Sequence, residues 1–137
     1  MTHAPHGGAR GGLIDWSPLR ALVHSDLAPL VGAIDRDGLY PETALRRFGE
    51  AGLFASHVTG DPGGGGLRDA IAGMAVVGET CLSTAFAAWC QDACGWYLSN
   101  SANTALRGAL LPEVAAGRQL GGTGLSNPMK AYAGIDT

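Results

Sequence analysis

The sequence has few charged residues, few cysteines and no long apolar run. Charged residues make up 15% of the 137 residues, and the formal net charge is -3. Lys and Arg are not clustered, so we expect no nucleic-acid partner, because phosphate binding requires grouped cations. No apolar stretch approaches the roughly 20 residues of a membrane-spanning helix, so no membrane association is expected either.

The three cysteines, Cys81, Cys90 and Cys94, form neither a paired spacing nor a metal-binding pattern. An odd number without paired spacing is typical of a reducing compartment, which predicts a cytoplasmic location. Cys90 and Cys94 share a helix face, but no second pair of ligands stands near them. We therefore predict that these thiols pack in the interior and that no metal is bound.

The sequence does contain a large apolar fraction, 46%, much of it arranged with helical periodicity. This pattern predicts helices over residues 17–35, 41–51, 67–79, 83–98 and 102–111. Pro29 is expected to interrupt the first helix, Ser101 to cap the last one, and Pro112 to break it. Residues 63–66 are all glycine and predict a loop; no Gly-Lys-Ser or Gly-Lys-Thr follows to make it a phosphate loop.

The predicted helix 83–98 is apolar on nearly all sides, which favours a helix that is central in a bundle or covered on two sides. Its large aromatic residues, Trp89, Trp96 and Tyr97, belong either to the core or to the lining of an apolar pocket. Gln91 and Asp92 are polar exceptions in this helix. Because buried polar groups need partners, each of them bonds to a neighbouring element, faces a pocket or points to water.

Residues 119–125 are the one strand candidate. An isolated strand is not stable in water, so this one needs a sheet from residues or a chain outside this sequence. We predict a mainly α protein: a flexible tail over residues 1–16, a helical domain over 17–117, and the start of a truncated β domain over 118–137. The last segment would hold the first strand of that missing domain.

Four motifs in a fixed order resemble the acyl-CoA dehydrogenase family. They are Leu-Ala-Pro-Leu-Val-Gly-Ala-Ile-Asp-Arg-Asp-Gly-Leu-Tyr-Pro at 27–41, Phe-Gly-Glu-Ala-Gly-Leu-Phe at 48–54, Pro-Gly-Gly-Gly-Gly-Leu at 62–67 and Leu-Pro-Glu-Val-Ala-Ala-Gly at 111–117. The resemblance covers about residues 17–130 and implies the N-terminal helical bundle of that fold. It further implies FAD, dehydrogenation of an acyl-CoA or acyl-carrier thioester at its α and β carbons, and a homo-oligomer.

The resemblance also suggests where the flavin lies. Ser126-Asn127-Pro128 is similar to the end of the family's flavin strand, which implies that Thr123, Leu125 and Ser126 contact the cofactor. A hydroxyl and backbone N–H groups at the ring edge can orient a flavin and tune its hydride affinity. The helix face near Gln91 is expected to border the acyl chain.

The sequence departs from the family after Pro128. Residues 129–134 replace the family's Gly-x-Gly-Ser-Asp run, Asn127 replaces an acidic residue, and no glutamate matches the catalytic base. Because that glutamate and most of the family's FAD contacts are absent, we assign no catalytic residue and expect these residues alone to be inactive. The alternatives are a fragment of a flavin-dependent monooxygenase of the same fold, which lacks that base, and a non-catalytic truncated helical module.

Overall fold

A computed structural model describes residues 14–56, 58, 66–124 and 126–134 of the chain. The described residues are mainly helical, which confirms the predicted fold class, and no strand occurs among them. The helices are α1 Ser17–Leu22, a π-helical turn Val23–Leu27, a 3-10 turn Ala28–Leu30, α2 Val31–Asp37, α3 Glu42–Glu50, α4 Gly66–Gly78, α5 Leu82–Ser99, α6 Thr104–Ala115 and α7 Ser126–Tyr132.

The first predicted helix is interrupted at its proline, as expected. Pro29 lies in the 3-10 turn between the π-helical turn and α2. A proline inside a helix removes one backbone donor and crowds the preceding turn, so the regular α pattern changes here. Gly38 ends α2 with a φ of 67°, a left-handed conformation that glycine adopts without steric cost.

The hydrophobic core lies between α1, α3, α4 and α5. Helix α5 packs against α4 and against α6. Leu82 and Phe86 of α5 are 79% and 63% exposed, so the helix is covered on two sides rather than central, one of the two predicted alternatives. Trp16, which the sequence analysis placed in the N-terminal tail, is only 8% exposed and belongs to this core. The core residues are Trp16, Leu19, Val23, Leu27, Ala44, Leu45, Phe48, Leu53, Phe54, Val76, Val77, Cys81 and Ala88.

Two predictions for α6 are wrong. Asn103, not Ser101, caps the helix: its Oδ1 accepts a hydrogen bond from Leu106 N at 3.0 Å. Pro112 lies inside α6 and does not break it, since Ala116 N still bonds to Pro112 O at 3.1 Å. The carbonyl that loses its donor belongs to Gly108, which is exposed, so water can hydrate it.

The predicted strand over residues 119–125 is also wrong over the described residues 119–124. Residues 119–124 have no regular secondary structure, Leu125 lies outside the described residues, and Ser126 begins α7. A strand requires a partner strand, and the described part of the chain contains none. The predicted division of the chain at residue 117 stays a prediction, and glycines 63–65 of the predicted loop lie outside the described residues.

Candidate functional site

A groove opens between α5 and the segment that leads into α7. Its volume is about 430 Å³, and we call it the α5–α7 groove. Mostly apolar side chains and two hydroxyl groups line it. The lining residues are Phe86, Trp89, Cys90, Thr123, Ser126 and Met129.

One wall of the α5–α7 groove is a helical stripe. Phe86, Trp89 and Cys90 follow the i, i+3, i+4 spacing that places side chains on one helix face. The rings of Phe86 and Trp89 stack with their centroids 5.5 Å apart. Phe86 is nevertheless 63% exposed, so this wall presents a large apolar surface.

The other wall contains two of the three residues predicted to contact flavin. Thr123 is half-buried, and Ser126 is exposed at the first position of α7 rather than at the end of a strand. The structure therefore brings both hydroxyl-bearing residues to the same groove as the α5 stripe. Leu125, the third predicted flavin contact, lies outside the described residues.

Gln91, predicted to border an acyl chain, lies inside the protein. It is 1% exposed, and its side-chain amide bonds only to backbone. Its Nε2 donates to Val114 O at 2.9 Å and to Gln119 O at 2.9 Å, while its Oε1 accepts from Gly121 N at 2.7 Å. Of the alternatives open for this residue, the structure selects bonding to a neighbouring element.

A contact that the sequence did not predict, between Gly121 and Cys94, fixes the same segment. A Cβ atom added to Gly121 would come within 2.6 Å of Cys94 Sγ, so the backbone at Gly121 lies directly on the thiol. Nothing larger than glycine fits there without movement. The glycine-rich composition of residues 121–124 was the available signal, but it does not identify the contact partner.

The start of this segment is held by α3. Arg46 Nη1 donates to Gly117 O at 3.3 Å and also to Arg118 O. Gly49 and Gly117 are in direct backbone contact, because a Cβ on Gly49 would meet Gly117 Cα at 2.5 Å. The path from α6 to the groove is therefore anchored on two helices, α3 and α5.

The two thiols near the groove favour the protonated form. Burial raises the pKa of Cys90. Burial also raises the pKa of Cys94, and a hydrogen bond from the Gly122 backbone opposes that shift. Because the thiolate is the nucleophilic form, neither position resembles an activated catalytic cysteine. In the described residues no group of three or more His, Cys, Asp or Glu side chains could hold a metal ion.

A second groove of about 380 Å³ lies further along α5. Trp89 lines both grooves and separates them, while Trp96 and Tyr97 are 48% and 44% exposed. These three residues therefore line pockets, one of the two predicted possibilities, and none of them belongs to the core. The lining residues are Leu67, Trp89, Asp92, Ala93, Trp96 and Tyr97.

Comparison with known proteins gives one match. A family model described as "Acyl-CoA dehydrogenase, N-terminal domain" matches residues 17–118. No curated protein and no solved structure matches the chain. Among the helices of the described ranges, none is both long and apolar enough to cross a membrane.

Proposed function

Since this chain belongs to the acyl-CoA dehydrogenase family, we propose that it forms the helical part of an FAD-dependent oxidoreductase. The proposed reaction is dehydrogenation of an acyl-CoA or acyl-carrier thioester at its α and β carbons. One observation carries this proposal: Thr123 and Ser126 line the same groove as the aromatic stripe of α5. The residues 17–118 of the family match include that stripe but end before both hydroxyls.

The chemistry of the α5–α7 groove suits a flavin ring. An isoalloxazine has broad apolar faces and a polar edge, and the groove combines stacked aromatic rings with two hydroxyl groups. Its volume lies within the roughly 300–1,000 Å³ range of small-molecule pockets. In this proposal Thr123, Leu125 and Ser126 contact the ring edge, and the bound FAD supplies hydride acceptance.

The acyl chain is proposed to lie against α5. Phe86 and Trp89 offer apolar surface there, and an acyl chain gains free energy when it leaves water for such a surface. Gln91 is buried and bonded to backbone, so its part in this proposal is to support the groove rather than to touch the substrate.

Proton removal from the α carbon is proposed to depend on residues outside this sequence. No glutamate here matches the family's base, so we expect these 137 residues by themselves not to dehydrogenate an acyl thioester. We propose a homo-oligomer in the cytoplasm. The support for the location is that Cys81, Cys90 and Cys94 are all free.

The test is titration of the chain with FAD, followed by addition of acyl-CoA. Because most of the family's FAD contacts are absent from this sequence, we expect only weak binding, which weakens about tenfold further in Thr123→Val because one hydrogen bond is lost. Tight binding with a perturbed flavin absorbance spectrum would contradict that absence. The control is Thr43→Val, an exposed position on α3 away from the groove. Equal FAD affinities in the two variants would contradict the contact between Thr123 and flavin. Flavin reduction by acyl-CoA would contradict the expectation that this sequence lacks the catalytic base.

A flavin-dependent monooxygenase is the second candidate. The observation in its favour is that residues 129–134 replace the Gly-x-Gly-Ser-Asp run of the dehydrogenases, and that residues 129–132 belong to α7. The discriminating observation is a glutamate at the family's base position in any adjoining sequence, which would favour dehydrogenation. Failure of the chain to bind any flavin, while melting as a cooperative helical domain, would instead favour a non-catalytic module.

A further inference from the structure

We propose that Gln91 is the positioning residue of the α5–α7 groove. Its amide holds the backbone of residues 119–121 against α5 and so sets where Thr123 and the start of α7 stand opposite the aromatic stripe. We call this arrangement, formed by the Gln91 side chain with Val114 O, Gln119 O and Gly121 N, the Gln91 clamp. Its consequence for flavin binding rests on the proposed function, whereas its effect on the groove does not.

The chemistry of the three bonds selects glutamine over other side chains. A side-chain amide is one of the few groups that can donate two hydrogen bonds and accept another in one plane. Two carbonyls and one N–H face Gln91, so its Nε2 and Oε1 positions are both determined by their partners. Glutamate has the same shape but, when ionised, cannot donate, and leucine satisfies none of the three backbone groups.

Because the clamp is buried, the loss of any one of its hydrogen bonds should displace the segment. Gln91 is 1% exposed, so water cannot replace a lost partner there. An unsatisfied buried polar group costs more than a hydrogen bond returns on average. The segment must therefore move toward solvent when the clamp is removed, and the wall that carries Thr123 moves with it.

The contact between Gly121 and Cys94 also determines how closely residues 119–121 lie to α5. Cys94 lies one turn after Gln91 on α5, and its Sγ would be 2.6 Å from a Cβ at Gly121. The clamp pulls the backbone toward α5, and the thiol sets how close it can come. This close approach gives a second way to displace the wall, one that leaves the Gln91 side chain itself unaltered.

The first experiment measures the clamp directly. Hydrogen exchange at the Gly121 amide is compared in the unaltered chain, in Gln91→Glu and in the control Gln119→Glu, whose side chain is exposed. We expect protection at Gly121 to fall about tenfold or more in Gln91→Glu at neutral pH, because the ionised carboxylate can still accept from Gly121 N but repels the carbonyls of Val114 and Gln119 and so displaces the segment. Protection should return as the pH falls below the pKa of the introduced carboxyl, because a protonated carboxyl can donate to one carbonyl again.

The second experiment measures the groove. The chain is labelled with 5-fluorotryptophan, and the ¹⁹F resonance of Trp89 is identified by its loss in Trp89→Phe. We expect this resonance to shift in Gln91→Glu and in Gly121→Ala. Cys94→Ala removes the sulfur that Gly121→Ala would meet and leaves its Cβ at an ordinary contact distance of 3.4 Å, so the double variant should regain the original resonance.

The third experiment uses FAD as the probe. If the clamp affects FAD binding by positioning Thr123, Gln91→Glu and Thr123→Val should each weaken FAD binding. The double variant should then weaken it by less than the product of the two single fold-changes. Independent effects, or a Trp89 resonance and Gly121 protection that stay unchanged in Gln91→Glu, overturn the inference. If the unaltered chain binds no FAD, the flavin assignment fails, and the exchange and ¹⁹F results alone decide the role of Gln91.

Discussion

The contact between Gly49 on α3 and Gly117 after α6 is where a single added methyl group should do most damage. In Gly49→Ala the new Cβ would lie 2.5 Å from Gly117 Cα, 2.6 Å from Gly117 N and 2.8 Å from the carbonyl carbon of Ala116. All three are backbone atoms, so no side chain can rotate away. Either α3 or the start of the groove segment must move by roughly an ångström to relieve the overlap.

The expected cost follows from two opposing effects. Overpacking against backbone costs about 3 kcal/mol, the upper end of the usual range, because nothing flexible can yield. Alanine in place of glycine inside a helix returns about 1 kcal/mol. The net loss of unfolding free energy for Gly49→Ala is therefore about 2 kcal/mol, or a fall in melting temperature of roughly 8 °C for a domain of this size.

Gly108→Ala is the matched control for this prediction. Gly108 lies in the interior of α6, and a Cβ there would meet nothing within 4 Å. Only the helix-propensity effect remains, so we expect a gain of about 1 kcal/mol. Urea denaturation followed by circular dichroism measures both variants. Equal free energies of unfolding for Gly49→Ala and Gly108→Ala would refute the argument. The backbone contact of Gly49, rather than the loss of a helical glycine, would then not determine the stability change.

Three further outcomes are expected. Asn103→Ala should lower the unfolding free energy by about 1 kcal/mol, since it removes the α6 cap, as a denaturation midpoint would show. Cys90 should be alkylated with a pH midpoint above that of free cysteine, because burial raises its pKa; mass spectrometry resolves the site, and a lower midpoint would contradict the burial argument. Hydrogen bonds from Arg118 lower the pKa of Glu113, so the stability from this pair should be present above the ordinary carboxyl range and disappear as the pH falls through the lowered pKa. Carbon-detected NMR titration of Glu113 measures that pKa, and Arg118→Ala should return it to its ordinary range.

The helices could be predicted from the sequence because their signals are local. Apolar periodicity located α3, α4 and α5 to within one or two residues, and Pro29 marked the break before α2. The failures at α6 arose where two local rules competed. Ser101 and Asn103 are both good caps, and only the hydrogen bond from Leu106 decides between them.

The candidate site could be predicted only in part, because it depends on contacts between distant residues. The motif at 126–128 pointed to Thr123 and Ser126, and both line the α5–α7 groove. The Gln91 clamp joins residues 23 to 30 positions apart in the chain, and no periodicity or motif encodes such a pairing. Burial of a polar residue in an apolar helix indicated that Gln91 needs partners, but not which ones.

The bonding pattern of Gln91 gives residues 119–121 hydrogen bonds like those of a strand, although residues 119–124 form no strand. Its Nε2 donates to the carbonyl of Gln119, and its Oε1 accepts from the N–H of Gly121. The N–H and C=O of one residue in a neighbouring parallel strand would make the same pair of bonds, to the carbonyl before and the N–H after the residue it faces. One side-chain amide therefore replaces one rung of a sheet at Leu120.

Because the Gln91 amide takes the place of a neighbouring strand, the backbone between Gln119 and Gly121 is hydrogen-bonded on the side that faces α5. A sheet that joined this segment would have to approach from the other side, since the clamp already occupies the first. If a β domain adjoins these helices, its neighbouring strand should pair through Leu120 rather than through Gln119 and Gly121. The Gln91 clamp would then fix the register of that sheet from the side of the helices. For this structural reason we expect that glutamine at position 91 requires glycine at position 121, and the reverse.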